Sequence, residues 1–571
     1  MYGMCTDMTT NPSELEQIKL ASQFLRGTII TSLADPLTGA VSDADAGLLK
    51  FHGGYLQDNR DLREERRQQK LEPAHAFMLR ARLPGGVVTP VQWLEFDRLA
   101  REYADGSLRI TSRQTLQWHG ILKGQLKSTI AAIHHALATT IAACGDVVRT
   151  VVCTTNPIES ATHGLVYEWA ERLSKHLTPH TRAYHEIWLD GEKRVGEVES
   201  EPLYGANYLP RKFKIGLAIP PLNDIDVLSQ DMGLIAIIEC GRLAGFNVAI
   251  GGGMGVTQHD ASTYPRLANV IGFVGVDEVL ALAEVMVGVH RDWGERADRR
   301  HARLKYTIDR RGLQVFQDEV ERRLGHALAP ERPYYFERNS DRYGWIEGHE
   351  GFWHLTLSIE SGRLADHEDG RILSGLRALA RVHHGDFRLT CNQNVIVAKV
   401  AGKDRAGIDS IVRDYGLDGY RKQSGIRRHA MACVALPTCG LAMAESERYL
   451  PVLLSSLEQL LDRYGLIDTP ILLRVSGCPN GCSRPYLAEI ALVGRGPGRY
   501  DLRLGGDFQG QRLNRLYRQN IDEQAILDAL EPLFARYVLV RGETEKFGDF
   551  LVHAGIIGLE PGPTTVQGSV V

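Results

Sequence analysis

A short block of residues occurs twice in this chain at one fixed separation. Gly106, Arg109, Thr111 and Gln114 recur as Gly385, Arg388, Thr390 and Gln393, each 279 residues later and each after a helical stretch. A weaker echo follows, in which Cys153 and Pro157 are matched by Cys433 and Pro437 at an offset of 280. A common offset in a shared helix-then-strand setting points to internal duplication. The chain is therefore expected to fold as two related halves packed about a pseudo-twofold axis. Its 571 residues also exceed one hydrophobic core, so about three domains are expected.

Only the second half carries closely spaced cysteines. Cys433 and Cys439 enclose five residues, and Cys478 and Cys482 enclose three within Val475-Ser-Gly-Cys-Pro-Asn-Gly-Cys-Ser-Arg-Pro. Four such thiols suit an iron-sulfur cluster or a structural zinc, and spacing alone does not choose between them. Gly477, Pro479, Asn480 and Gly481 favour a tight turn in which backbone amides can approach bound sulfur or an anion. A plain core role fits less well, because the neighbours are Pro and Gly and not apolar runs. Cys5, Cys144, Cys153, Cys240 and Cys391 stand singly, and an odd total of nine does not read as a secreted disulfide framework. A cytoplasmic protein is expected.

Lys+Arg 66 against Asp+Glu 70 leaves a net charge of -4, which offers nucleic acid or an anionic membrane no general attraction. Particular stretches are nonetheless cationic. Read as one strand, Leu108 to His119 places Arg109, Thr111, Arg113, Thr115, Gln117 and His119 on one face. That face suits a ligand with several carboxylates or phosphates, with a solvated sheet face as the plain alternative. The second copy has Asn392, Ile396 and Ala398 in place of Arg113, Gln117 and His119. In the strand-like run Tyr208 to Pro221, Lys212 and Lys214 point the same way; their repulsion is a cost that a bound anion would offset.

Other stretches exclude functions. Ala249-Ile-Gly-Gly-Gly-Met-Gly lacks the G-x-G-x-x-G spacing, so no nicotinamide site is expected there. The most apolar long window, Gly233 to Gly255, is interrupted by Glu239, Arg242 and Asn247 and falls short of a membrane span. The opening Met-Tyr-Gly-Met-Cys-Thr-Asp does not read as a signal peptide. Residues 1 to 74 are polar, ending near the run Arg60 to Lys70, and are expected to form an arm that is a candidate partner contact.

Taken together, the two cysteine pairs, Phe51-His-Gly, Leu79-Arg-Ala-Arg82-Leu-Pro-Gly-Gly, Arg109-Ile-Thr-Ser-Arg-Gln-Thr-Leu-Gln, Arg149-Thr-Val-Val-Cys, Leu209-Pro-Arg-Lys-Phe-Lys and Phe547-Gly-Asp-Phe resemble the sirohaem sulfite and nitrite reductases. The resemblance runs along nearly the whole chain. It is strongest to the haemoprotein (beta) subunits of the NADPH-dependent assimilatory sulfite reductases. It implies that Cys433, Cys439, Cys478 and Cys482 ligate a 4Fe-4S cluster and that Cys482 also bridges to the sirohaem iron. Arg82, Arg149, Lys212 and Lys214 then match the cations over the face where sulfite binds, while Arg109, Arg113, Gln117, His119 and Lys305 fall in segments that hold the sirohaem carboxylates. Asn480, between the last two thiols, is a further cofactor contact on this reading.

The implied activity is six-electron reduction of sulfite to sulfide in sulfate assimilation and cysteine biosynthesis. No flavodoxin-like or dinucleotide-binding segment is evident, so an electron-donating protein is needed: an NADPH-oxidising flavoprotein (alpha) subunit in the resembled system, with ferredoxin as the other donor class. Nitrite reduction to ammonia is the nearer alternative function, and a non-enzymatic structural zinc protein the distant one. The expected architecture is α+β in three domains, with a pseudo-twofold repeat around a shared sirohaem and iron-sulfur centre. Residues 75–145 would pair with 347–422 as ferredoxin-like repeats, 146–346 would form the sirohaem and substrate domain, and 423–571 the iron-sulfur and sirohaem domain.

Overall fold

Helix Pro90–Tyr103 begins where its chemistry says it should. Thr89 accepts from the Gln92 amide at 3.2 Å while the Gln92 side chain accepts from the Thr89 amide at 3.0 Å, and a proline fills the first helical position. Its apolar stripe, Trp93, Phe96, Leu99 and Ala100, is fully buried. The counterpart in the second repeat, helix Ile372–Val382, buries Leu373, Leu376, Leu379 and Ala380. The two helices pack on each other, and the buried Asp97 carboxylate lies between Arg101 (3.1 Å) of its own helix and Arg377 (2.9 Å) of the other. Removing either arginine would leave a carboxylate in the interior short of a partner.

These elements belong to a computed structural model that describes residues 11–155, 161–191, 199–368 and 370–558. Pro157 of the weaker echo, Cys5 and the opening Met1 to Asp7 lie outside the described residues. By internal contacts the chain divides into two units: Met1–Gly253 with His259–Lys422 and Pro437–Gly440, and Met254–Gln258 with Gln423–Leu436 and Leu441–Val571.

Along the first unit run β1 (Gly54–Asp58), β2 (His75–Arg80), β3 (Val87–Val88), β4 (Leu108–Ile110), β5 (Leu116–Ile121), β6 (Val152–Cys153), β7 (Ile215–Ala218), β8 (Met232–Glu239), β9 (Arg242–Ile250) and β10 (Asn269–Gly275). There follow β11 (Gly344–Glu347), β12 (Phe352–Leu357), β13 (Arg363–Leu364), the short ribbon β14 (Asp366–His367) with β15 (Gly370–Arg371), β16 (Asp386–Leu389) and β17 (Val395–Ala401). The first repeat builds a sheet in the order β1-β2-β5-β4-β13, and the second builds β11-β12-β17-β16-β3. Each sheet therefore ends on a two-residue strand from the other repeat: β13 pairs with β4, and β3 pairs with β16. The turns that make this exchange are matched as well. Gly86 (φ 72°) leads into β3, and a Cβ there would stand 2.6 Å from Leu389 O and 2.7 Å from Gln114 Cβ; Gly362 (φ 73°) leads into β13, where a Cβ would stand 2.2 Å from Ile110 O and 3.1 Å from Gln393 Cβ. The expected pairing of related halves is thus a reciprocal exchange of edge strands, which also closes an open edge of each sheet.

Two strand expectations need correction. Leu108 to His119 is a hairpin, not one strand: β4 ends at Ile110, Gln114 turns the chain at φ 53°, and β5 starts at Leu116. The second copy repeats this, with Gln393 at φ 70° between β16 and β17. Likewise the run from Tyr208 is strand only over β7, so Lys212 and Lys214 precede the sheet. The N-terminal segment also differs from a free arm. From Glu14 on it packs into the first unit, with Leu25, Ile29, Leu48, Leu49 and Phe51 in the core and Gly54 to Asp58 as an edge strand.

The third sheet of the first unit, β10-β9-β8-β7-β6, is parallel from β6 to β8 and antiparallel beyond. The apolar window Gly233 to Gly255 is largely the β8–β9 hairpin, with Cys240 and Gly241 at its turn. Among the described residues no helix is long and apolar enough to cross a membrane. The second unit carries a sheet in the order β18 (Ala430–Ala432), β19 (Leu473–Ser476), β20 (Ile490–Gly496), β21 (Arg499–Leu504), β22 (Arg515–Ile521), covered by helices Leu450–Arg463 and Glu523–Val540. Its first three strands are parallel.

Candidate functional site

Folding Leu108 to His119 into a hairpin brings its polar groups into register with other strands. Arg80 of β2 pairs with Gln117 of β5, Gln117 with Arg109 of β4, and Arg109 with Arg363 of β13. Directly paired residues share a sheet face, so three arginines and a glutamine form one row across four strands. Arg109 and Gln117 are buried. His119 lies two residues further along the same face, with Nδ1 3.2 Å from Gln57 Oε1 and a buried Nε2 that has no hydrogen-bond partner. Burial, reinforced by Arg363, Arg109 and Arg80, holds its imidazolium well below the usual histidine range. Cations side by side with a neutral buried imidazole are what a polycarboxylate ligand would satisfy.

A second set of cations gathers where the parallel strands of the third sheet begin. Phe213 donates to Val147 O (3.0 Å) and accepts from the Arg149 amide (2.9 Å), which lays residues 147–149 beside residues 211–214. Burial, and then the charges of Arg211, Lys214, Arg303 and Arg149, hold the Lys212 ammonium well below the usual lysine range. Two carboxylates offset this set in part: Asp231 takes Arg303 at 2.9 Å and the Lys214 amide at 2.9 Å, and Asp146 takes Arg299 at 2.8 Å and Arg211 at 3.5 Å. Arg113 joins the hairpin to the same region, donating to Gln230 Oε1 at 2.9 Å and to Thr150 O.

The four expected anion-binding residues are not placed alike. Arg149 is anchored through Nε to Gly145 O (2.7 Å) and Nη1 to Ala143 O (3.0 Å). Arg82 makes four hydrogen bonds to protein oxygens: Ser174 Oγ and O (both 3.0 Å), Ala142 O (3.2 Å) and Val148 O (2.9 Å). Its guanidinium thus braces the very segment that carries Arg149, and burial lowers its pKa to about 10. Lys305 is buried under the rings of Tyr264 and Tyr306 and donates to Gly253 O at 3.2 Å and to Tyr264 O. Burial, with Arg303 nearby, lowers its pKa to about 6. Gly252 is fixed by packing: a Cβ would stand 2.3 Å from Leu228 O and 2.5 Å from Gln230 O.

In the second unit each thiol pair starts where a parallel strand stops. Ala432 of β18 is level with Val475 of β19, so Cys433 and the turn from Gly477 leave the sheet side by side. The Gly477 amide points at Cys433 Sγ (3.3 Å), and Asn480 Nδ2 lies 3.6 Å from Cys478 Sγ. The turn is tied down from below: Ser483 Oγ donates to Val475 O at 2.8 Å and meets Ser476 Oγ at 2.6 Å. Gly477 cannot be anything larger, since a Cβ would stand 2.5 Å from Ala444 O. Burial, and then Cys482 and Cys433, push the Cys478 thiol up to about 12, a penalty that coordination by a cation would reverse. Cys439 belongs to the first unit, where its carbonyl accepts from Arg60 Nη1 at 3.0 Å. Among the described residues no three Cys, His, Asp or Glu side chains stand close enough to hold one metal ion. Thiolates of a four-iron cluster bind separate irons and need not converge in that way. The Gly477 amide, the glycine turn and the three thiols of the second unit fit such a cluster, and the arginine row of the first unit fits an acidic tetrapyrrole.

Several residues of these clusters escaped the sequence reading. Arg80 lies two before Arg82 and Arg211 abuts Lys212, so strand parity and adjacency could have flagged them. Arg363 and Arg303 arrive from distant segments, and only strand exchange and the Asp231 pair bring them in.

Comparison with known proteins bears on the same features. The nitrite/sulfite reductase ferredoxin-like half domain matches residues 69–136 and 346–415, the two exchanging repeats. The nitrite and sulphite reductase 4Fe-4S domain matches residues 168–328, a span outside which the four paired cysteines fall. A sulfite reductase [NADPH] hemoprotein beta-component of Myxococcus xanthus is 58% identical over 97% of this chain and 99% of its own length. Proteins of the same name from Geobacillus thermodenitrificans (56% identical, 96% of each chain) and Xylella fastidiosa (56%, 97% of this chain and 98% of the other) are also similar. Among solved structures, the NirA protein of Mycobacterium tuberculosis superposes with a TM-score of 0.77 at 23% identity, over 96% of this chain and 97% of that one, and so shares the fold. Two half-domain matches on the exchanging repeats, and relatives alike from end to end, place the chain in one family: it belongs to the nitrite and sulphite reductases, beside the sulfite reductase [NADPH] hemoprotein beta-components.

Proposed function

We propose that this chain reduces sulfite to sulfide, taking up six electrons and releasing the three oxygens as water. The observation that carries this is the cation cluster built where Phe213 pairs with Val147 and Arg149, which lays Arg149 beside Arg211, Lys212 and Lys214, with Arg303 held nearby on Asp231. Burial, and then repulsion within the cluster, lowers the Lys212 pKa, and that repulsion is a cost that a bound anion would offset. The relatives' shared name supplies the substrate, and the arginine row and thiol turn fit sirohaem and a 4Fe-4S cluster. When bound, the sirohaem and the cluster would supply the electrons one at a time.

The residues divide the remaining work. Arg149 clamps an oxygen of the anion, while Arg82 fixes the segment that aims it. Lys212 and Lys214 neutralise charge and donate protons as each oxygen leaves. Arg109, Arg113, Gln117, His119 and Lys305, joined by Arg80 and Arg363, would hold the sirohaem carboxylates, and Asn480 would contact the cofactors beside Cys482. Cys433, Cys439, Cys478 and Cys482 would hold the cluster, with Cys482 also serving the sirohaem, and the cluster would supply it with electrons. Electrons come from an NADPH-oxidising flavoprotein, the alpha partner that the relatives' beta designation implies.

The test is a visible spectrum of the purified holoprotein with and without sulfite, followed by sulfide production from a low-potential reductant. Lys214→Met is expected to lower sulfite turnover at least about tenfold with the spectrum kept; normal turnover would remove its role. A higher kcat/KM for nitrite than for sulfite would reassign the substrate.

A further inference from the structure

The helix Glu14–Ala21 carries a buried pair of opposite charges that no part of the mechanism uses. Glu16 and Lys19 are 1% and 0% exposed, and their side chains are hydrogen-bonded to each other. Neither is alone. Arg296 reaches Glu16 with one nitrogen and Tyr208 O with another at 2.8 Å. Lys19 Nζ donates to Leu209 O at 2.8 Å and stands 3.9 Å from Asp146 Oδ2. Asp146, 1% exposed, is held in turn by Arg299 (2.8 and 3.1 Å) and Arg211 (3.5 Å), and its carbonyl accepts from the Leu209 amide at 3.1 Å.

The two segments gripped by this chain of charges are those that carry Arg149, Lys212 and Lys214. Asp146 lies three residues before Arg149, and Leu209 to Arg211 run directly into Lys212 and Lys214. In the interior, deleting one member of an ion chain leaves the rest uncompensated, so the survivors regroup. Without Lys19, Asp146 would keep only Arg211 and Arg299, and a shift of Arg211 would carry the adjoining Lys212 with it. We infer that the Glu16–Lys19 pair, acting through Asp146, is a positioning device for the cation cluster of Arg149, Lys212 and Lys214, so that a helix far from that cluster in sequence sets its affinity for sulfite.

This rests on the sulfite-reducing function proposed above, and the experiment separates the two. Full-length holoprotein is prepared as parent, Lys19→Met, Asp146→Asn and the double variant. For each, sulfite Kd is measured by spectral titration, KM and kcat with a chemical reductant, and the melting temperature as a control. Each single variant is expected to raise Kd and KM about tenfold with kcat within about twofold, and the double variant to stay within about threefold of the worse single, because both cut one chain. Unchanged Kd and KM in either Lys19→Met or the near-isosteric Asp146→Asn would overturn the inference, as would additive losses or a fall in kcat with KM unmoved. A parent protein that neither binds nor reduces sulfite would instead overturn the function.

Discussion

Lys212 shows how one residue takes its chemistry from its surroundings. Its ammonium is disfavoured first by burial and then by four neighbouring cations, so it binds its proton more firmly once an oxyanion is present. Anion binding is therefore linked to proton uptake at this residue. The sign follows directly: as pH rises through the depressed pKa, the free protein loses the charge and sulfite binding weakens. Lys212→Arg keeps the charge at every accessible pH, and its sulfite Kd should show a flatter rise with pH than the parent. An identical pH dependence in parent and variant would place the titrating group elsewhere. Lys212 and Lys214 were legible as a pair because both stand in one short sequence, but Arg303 enters only through its hold on Asp231.

At the scale of elements, the exchanged strands are what make two repeats into one body. β3 and β13 are two residues each, too short to persist alone, and each depends on a turn at positive φ pressed against the other repeat. Gly362→Ala would set a Cβ 2.2 Å from Ile110 O in a conformation that alanine disfavours, and it is expected to cost about 3 kcal/mol, read as a lower denaturant midpoint. Little or no loss would mean that the turn can shift without the strand. The thiol turn follows similar logic, since Gly477 is pinned between Ala444 O and Ala435 Cβ, where a methyl group has no room. The duplication was legible from four identities at one offset. That Leu108 to His119 bends into a hairpin was not, because Gln114 adopts positive φ without the Gly or Asn that announces such a turn.

For the molecule as a whole, reactivity toward NADPH is the informative measurement. No dinucleotide fingerprint occurs in the sequence, and in the run Gly251 to Gly253 the middle glycine packs tightly against residues 228–230 while its neighbours face Arg266, Ile308, Arg303 and Lys305. Holoprotein mixed with NADPH and sulfite should show no NADPH oxidation until a flavoprotein donor is added, followed at the NADPH absorbance band. Oxidation by the isolated chain would require a nucleotide site that has not been located.

The duplication, the thiol pairs, the cationic segments and the family they resemble can all be read from the chain's residues, because each of these is written in residues close together or at one constant offset. The exchange of edge strands between the repeats, the alignment of Arg80, Gln117, Arg109 and Arg363, and the reach of an N-terminal helix to Asp146 emerge only once the chain is folded. Those arrangements depend on register and on charges buried against one another across hundreds of residues. Local propensity carries no record of either.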